Sequence, residues 1–159
     1  MAISNIVVAL AGGPKSALPA KYAIGLAKKL KAKITVVHVI NEKIIHDLIK
    51  ARVVVEAEAR NYYRDLEDQG WAFMKKIKKL AESKDVSCDM VLLKGVVHEQ
   101  IVGKVKESGA DLLVMGQLKE ILSMKEVYIE EGERLFWEAP CPVLVVKNDD
   151  MVEALFKEQ

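Results

Sequence analysis

Few of the chain's reactive side chains stand at spacings that do chemistry. His38, His46 and His98 are far apart and form neither an H-x-x-x-H nor an H-E-x-x-H pair, so no two imidazoles share a helix turn over a zinc ion. Cys88 and Cys141 are isolated thiols without a C-x-x-C partner, which argues against zinc and dithiol chemistry and for a reducing cytoplasm. Cys88, beside Asp89, would serve as a redox thiol only if it were exposed and acidified. His38 closes a buried apolar run; a hydrogen-bonded core imidazole is the expectation, a catalytic base the alternative. His98 reads as a residue at a helix start and not as a ligand. Ser16, Ser123 and Lys119 lie near loops, but no nucleophile elbow or Ser-His-Asp ordering joins them. No catalytic residue and no metal ligand is assigned, and the chain reads as a non-enzyme.

The segment with most chemical interest is "DLLVMG" (111–116), a buried strand arriving at Gly116. Open α/β sheets bind ligands at the carboxyl ends of such strands. A phosphate cradle there needs glycines, whose backbone N–H groups approach the anion and adopt positive φ. The next glycine is Gly132, and residues 117–131 carry Lys119, Glu120, Lys125, Glu126, Glu130 and Glu131 instead.

Regular elements must position that loop. Five β-branched-rich runs read as strands buried on both faces: "NIVVALA" (5–11), "KITVVHVI" (33–40), "SCDMVLLKG" (87–95), "DLLVMG" (111–116) and "PVLVVK" (142–147). Ala23, Leu26, Ala27 and Leu30 recur at helical spacing in 17–31, as do Ile101, Val102 and Val105 in 98–108, with Gly109 as the terminator. Strand–helix alternation with right-handed crossovers gives an open, parallel α/β sheet. The connection from Asn41 to Asp85 carries one stripe from Ile44, Ile45, Leu48 and Ile49 and a second from Tyr62, Tyr63, Leu66, Phe73, Met74, Ile77 and Leu80. Gly70 and Val53-Val54-Val55 are weak helix formers, so two helices, or one with a break, are expected. The surplus apolar surface either covers the sheet or meets a partner. After Lys147 the tail predicts a short docked helix, with Asp149 or Asp150 as its cap and Met151, Val152, Leu155 and Phe156 on one face.

The 159 residues suit one domain with a real core. With 51% hydrophobic and 30% charged residues, nothing suggests disorder. Twenty-four basic residues against 23 acidic give a net charge of +1, so no long-range field recruits nucleic acid or anionic membrane. "MAISNIVVALAGGP" lacks the basic start and long apolar run of a signal peptide, and no stretch is long enough for a membrane span.

Four segments together resemble the universal stress protein family. "NIVVALAGGPKSALPAKYAIGLAKKLKAKITVVHV" is similar to its opening strand, helix and His-Val-ended second strand, and "VLLKGVVHEQIVGKVKESGADLLVMG" to its third strand through the end of its fourth. "APCPVLVVK" is similar to its last strand, and the spacing from Gly116 to Pro142 fits without a gap. The resemblance implies a Rossmann-like, adenine-nucleotide-hydrolase-like sheet in the order 3-2-1-4-5. It places the family domain at 1–147 and a helical tail at 148–159. It also implies a homodimer through the last strand, Pro142, Val143, Leu144, Val145 and Val146; the tail, which lies outside the resemblance, is placed to cap that interface.

Nucleotide-binding members carry Gly-x2-Gly-x9-Gly-Ser/Thr after the fourth strand and an aspartate past the first strand that reads adenine. Mapped from Gly116, the second glycine falls on Lys119, the third on Ile129, the hydroxyl on Glu130 and the aspartate on Ala11. A β-branched residue is unsuited to positive φ, and an ionised carboxylate accepts hydrogen bonds where a hydroxyl would donate. One carboxylate about 5 Å from a phosphate charge costs roughly 3 kcal/mol at an effective dielectric of about 20. If the following helix begins near 129–132, Glu130, Glu131 or Glu133 either stand in for the phosphate on its first N–H groups or are solvated first-turn glutamates. Against this, Gly12, Gly13, Gly95 and Gly116 are present, and Lys119 and Lys125 offer point charges. The candidate pocket is therefore Ala11, Gly12, Val39, Gly95, Met115, Gly116, Lys119, Ile129 and Glu130. The resemblance favours a cytoplasmic stress-response protein of the non-nucleotide-binding type, acting through an unidentified protein partner without a cofactor. The alternatives are an ATP- or AMP-binding module with magnesium, with at most weak hydrolysis, and a sensor or accessory subunit for another small ligand.

Overall fold

The computed structural model describes residues 3–11, 17–52, 54–116 and 125–158, with the side chains of Ile44 and of 125–131 outside that description. Five strands form one parallel sheet: β1 (Asn5–Leu10), β2 (Lys33–Asn41), β3 (Cys88–Gly95), β4 (Leu112–Gly116) and β5 (Val143–Val146). Their order is β3-β2-β1-β4-β5, as the resemblance implied. The described helices are α1 (Ala17–Leu30), α2 (Glu42–Lys50), α3 (Glu56–Ser83), α4 (Val97–Ser108), α5 (Lys125–Glu138) and α6 (Asp149–Glu158).

The period-2 alternation of a strand sends successive side chains to opposite faces. Ile6, Val8, Ile34 and Val36 meet α1 through Ala20, Ala23, Ile24 and Ala27, and α3 through Met74, Ile77 and Ala81. Val7, Val37, Val39, Leu113 and Met115 meet Ile101, Val102 and Val105 of α4 and Leu135 of α5. Each fully buried Val, Leu, Ile or Met among them stabilises by about 1.5–3 kcal/mol. Helices on both faces account for the nearly unbroken apolar runs of the central strands.

The 41–85 connection is two helices, and the break falls at the valine run and not at Gly70. Asn41 is both the last residue of β2 and the cap of α2, its Oδ1 accepting the N–H of Lys43 at 3.1 Å. Gly70 lies buried inside α3, where an added Cβ would come within 3.1 Å of His38 Cδ2 and 3.2 Å of Leu92 Cδ1. Glycine weakens a helix locally, but here it lets α3 settle onto the sheet.

The tail helix is capped by Asn148, not by Asp149 or Asp150. Asn148 has φ of 68° and its Oδ1 accepts the N–H of Met151 at 3.2 Å, leaving both aspartates in the first turn, where negative charge is favoured. α6 packs on α1: a Cβ at Gly25 would meet Leu155 Cγ at 2.9 Å, and Lys21 Nζ donates to Glu153 Oε1 at 2.7 Å. Val152 is buried with Val146, and Lys84 Nζ stands 4.6 Å from the Phe156 ring centre.

At the opposite end of the sheet, Asp111 ties β4 to β1. Its Oδ2 accepts the N–H of Ser4 at 2.9 Å, the N–H of Asn5 at 3.0 Å and the hydroxyl of Ser4 at 3.2 Å. The two Ser4 and Asn5 backbone N–H groups hold the Asp111 carboxyl below its ordinary value, since both favour the charged form.

Candidate functional site at the carboxyl ends of the strands

Val8 pairs with both Val36 and Val114, so β1 lies between β2 and β4 and the strand order reverses across it. The crevice of such a sheet opens at the carboxyl ends of β1 and β4. Ala11 stands exposed just past β1, and Gly116 closes β4 in contact distance of α1, where an added Cβ would lie 3.3 Å from Pro19 Cγ. Val39 and Met115 are also near these ends, but their side chains are buried in the core under α4 and α5. Gly12 and Lys119 lie outside the described residues, as do Ser16 and Ser123.

Gly95 is not beside Gly116. It pairs with Asn41 on the outer strand β3, and three strand spacings separate β3 from β4, roughly 14 Å. Its φ of 133° is a conformation that only glycine adopts readily, and a Cβ would meet Gln100 Nε2 at 3.0 Å. The residue therefore turns the chain tightly into α4.

Helix α5 (Lys125–Glu138) is already helical at Lys125, a full turn before the 129–132 start considered from the sequence. The first-turn N–H groups of a helix lack an internal acceptor, whereas those from the fifth residue onward bond to the carbonyl four residues back. The N–H groups of Ile129, Glu130 and Glu131 thus fall within the helical ladder, and Glu130, Glu131 and Glu133 are not first-turn residues. This removes the reading in which those glutamates satisfy the helix's first N–H groups.

His38 is fixed by its surroundings. Its Nδ1 lies 3.0 Å from the carbonyl oxygen of Leu10, and because a carbonyl only accepts, Nδ1 carries the proton. The ring lies under α3 at Gly70, on the face opposite Val39. His98 is the second residue of α4 and buried, with Nε2 3.7 Å from Glu138 Oε2 at the end of α5. His38 and His98 are thus placed by packing, while His46 is exposed on α2. Burial pushes the Cys88 thiol up to about 11, with the Lys78 charge opposing and Asp89 and Glu82 adding to the rise. A thiol so placed stays protonated at neutral pH and is a poor nucleophile.

One polar group was not singled out in the sequence. Lys94, near the end of β3, is salt-bridged to Glu67 of α3 and stands 5.7 Å from the Tyr63 ring centre. The hydrogen bond to Glu67 raises the Lys94 ammonium, while burial and the Glu42 charge raise the Tyr63 hydroxyl. No periodic signal links residues on a strand and a helix 27 positions apart. Among the described residues no group of three or more His, Cys, Asp or Glu could hold a metal ion, and no helix is long and apolar enough to cross a membrane.

Residues 2–147 match the family model described as the universal stress protein family. The chain is 31% identical over 146 residues to a universal stress protein of Methanocaldococcus jannaschii, covering 91% of this chain and 82% of that relative. Its fold is shared by a universal stress protein family member from Burkholderia pseudomallei, with a TM-score of 0.71, 21% identity and coverage of 92% and 97% of the two chains. It is shared too by the universal stress protein from Archaeoglobus fulgidus in complex with dAMP, with a TM-score of 0.57, 17% identity and coverage of 92% and 100%.

Proposed function

The chain belongs to the universal stress protein family, and from that premise we propose that it acts in the stress response through protein contacts, as a homodimer joined at β5, without nucleotide, metal or catalysis. Residues 1–147 are the working domain in this reading, 148–159 an appended tail, and the compartment is the cytoplasm, in keeping with the free thiols Cys88 and Cys141. The observation that carries the reading is that α5 spans Lys125–Glu138, with positions 129 and 130 inside it. A family phosphate loop would present a glycine at 129 and a hydroxyl residue at 130, and here the backbone N–H groups of both positions belong to the interior of a helix. Ala11, in place of the adenine-reading aspartate, is exposed and offers no hydrogen-bonding side chain. An adenine nucleotide therefore lacks both the phosphate loop and the base-reading carboxylate that the family uses.

The second reading is an adenine-nucleotide site rebuilt around Gly116 and Lys119, favoured by the dAMP complex of the A. fulgidus protein. Thermal unfolding with ATP or AMP and magnesium, with mass spectrometry of the purified protein, separates the two. A ligand at a hundred times its dissociation constant adds about 2.7 kcal/mol of stability. The expected result is no shift and no copurified nucleotide; a saturable shift overturns the proposal. A shift with a different small ligand would make the chain a sensor.

The geometry of β5 supports the homodimer. Leu113 N–H donates to the Pro142 carbonyl, so Pro142 and, two residues on, Leu144 turn their backbone groups towards β4. Val143 and Val145 turn theirs outward. An antiparallel two-fold pairing that uses both places Val143 opposite Val145 of the second copy and sets Leu144 on the axis. Hydrogen exchange should find the Val143 and Val145 amides protected in solution. Free exchange at both would exclude this pairing.

A further inference from the structure

The chain is nearly neutral, yet its charge is sorted along one helix. Residues 56–68 of α3 carry five acids against two arginines, whereas residues 75–79 carry four lysines and no acid. The helix macrodipole favours acids at the start and bases at the end, but only within the terminal turns, and the last turn of α3 holds no basic residue. Neighbours three and four apart on a helix face one another, so Lys75 meets Lys79 and Lys76 meets Lys79. Such like-charge pairs disfavour the helix that carries them. Among the described residues none of these three lysines forms an ion pair that would offset the repulsion.

Where they point follows from the packing. Met74, Ile77 and Ala81 define the side of α3 that lies on the sheet. Lys75 and Lys79 stand two residues either side of Ile77, about 200° round at 100° per residue, and project away from the sheet. Lys76 is about 180° round from Glu67. Since Glu67 reaches Lys94 on the outer strand β3, Lys76 projects on the flank towards α1.

α1 brings further lysines to the same corner. It packs with α3 on one face of the sheet, and both helices end at the amino ends of the strands, α1 leading into β2 and α3 into β3. Ile34 pairs with Cys88, and Lys28 Nζ lies 3.7 Å from Asp85 Oδ2, which sets the two helix ends side by side. Lys29, about 140° round from the buried Ile24, is exposed, and so is Lys31 just past the helix. α6 crosses α1 at Gly25, a turn short of Lys29, and leaves it uncovered.

We propose that Lys29, Lys31, Lys75, Lys76 and Lys79 form a docking surface for a short acidic segment of a partner protein. Charge complementarity selects the occupant. At physiological ionic strength a charge acts over about 8 Å, so a short segment meets these lysines alone. A duplex or a membrane surface, extending along α3, would also meet its acidic half. The patch holds no arginine, whose planar fork matches phosphate, while lysine is a point charge that carboxylates of varied geometry can share. This inference rests on the reading that the protein acts through protein contacts and adds to it the chemistry of the partner.

The test is an NMR titration of the full isotope-labelled chain with a short polyglutamate peptide at low salt. Amide shifts should be confined to 28–31 and 75–79. The peptide's dissociation constant should rise about tenfold in Lys75→Gln/Lys79→Gln and change less than about twofold in Lys104→Gln/Lys106→Gln, which removes the same charge from α4. Relieved of its like-charge pair, Lys75→Gln/Lys79→Gln should hold or raise its thermal midpoint; a fall would give these lysines a structural role and overturn the proposal. Absent shifts, shifts spread to the α4 lysines, or equal weakening in both variants overturn it too. So does tighter binding at the same residues by a single-stranded oligonucleotide of equal charge or by phosphatidylserine vesicles, which would make the patch a nucleic-acid or membrane surface. A nucleotide-dependent thermal shift, by contrast, overturns the proposed function without moving these amides.

Discussion

The two edges of the sheet differ in almost every respect that governs strand pairing. β3 is long, carries Asp89 and Lys94 near its two ends, and has α3 packed over it with the Lys94–Glu67 pair at its carboxyl end. β5 is four residues, Val143-Leu144-Val145-Val146, without a charge, and its backbone turns Val143 and Val145 outward. Charges on an edge strand discourage pairing, and an uncharged edge invites it. The difference teaches that one end of the sheet is finished within the chain, while the other leaves an uncharged edge that invites pairing.

The contrast is broken most strongly by putting charge on the open edge. Leu144→Lys places two like charges opposite one another on the proposed axis, and should raise the dimer dissociation constant about a hundredfold, roughly 2.7 kcal/mol, by sedimentation. An unchanged constant would move the interface elsewhere. Next in size is Gly70→Val, which forces a branched side chain against His38 and Leu92 under α3. It should lower unfolding stability by about 1–3 kcal/mol in urea titration while the dimer constant of the folded protein holds. A dimer weakened in parallel would mean that the two edges are coupled.

A smaller effect concerns the tail. The Lys21 hydrogen bond holds the Glu153 carboxyl below its ordinary value of 4.5, so this link is intact above that value and is lost as pH falls through the depressed folded one. Phe156 contacts should loosen over the same acidic window, seen by NMR, and Glu153→Gln should abolish that pH dependence. Smallest is Lys94→Met at the finished edge. An exposed ion pair contributes little, so the melting midpoint should not move measurably; a large drop would show that the Lys94–Glu67 pair organises α3.

The strands were legible because buried runs such as "KITVVHVI" admit few other readings, and the order followed from the family resemblance together with crossover geometry. What escaped were features decided by distant residues. Gly70 read as a possible helix break because local propensity counts only its own flexibility; its reason is a ring on β2, 32 positions earlier. Asn148 was passed over for its aspartate neighbours because the chain's exit from β5, at positive φ, decides which side chain reaches the first turn. At the candidate site the family spacing located Gly116, but it placed Ile129 and Glu130 at a helix start. Lys125, Glu126 and Tyr128 continue the helix upstream instead, with lysine and glutamate as good helix formers.

The clasp of Asp111 on Ser4 and Asn5 spans 107 and 106 positions of sequence. On a ribosome, which releases the chain from its amino end, β1 emerges long before β4. Until residue 112 leaves the exit tunnel, β1 can gain β2 as a neighbour but has nothing on its other side, and Ile6, Val7 and Val8 belong to an unfinished edge. Non-local pairing of this kind folds slowly. The last contacts to close the centre of the sheet, Ile6 with Leu112, Val7 with Leu113 and Val8 with Val114, thus wait on a strand more than a hundred residues away.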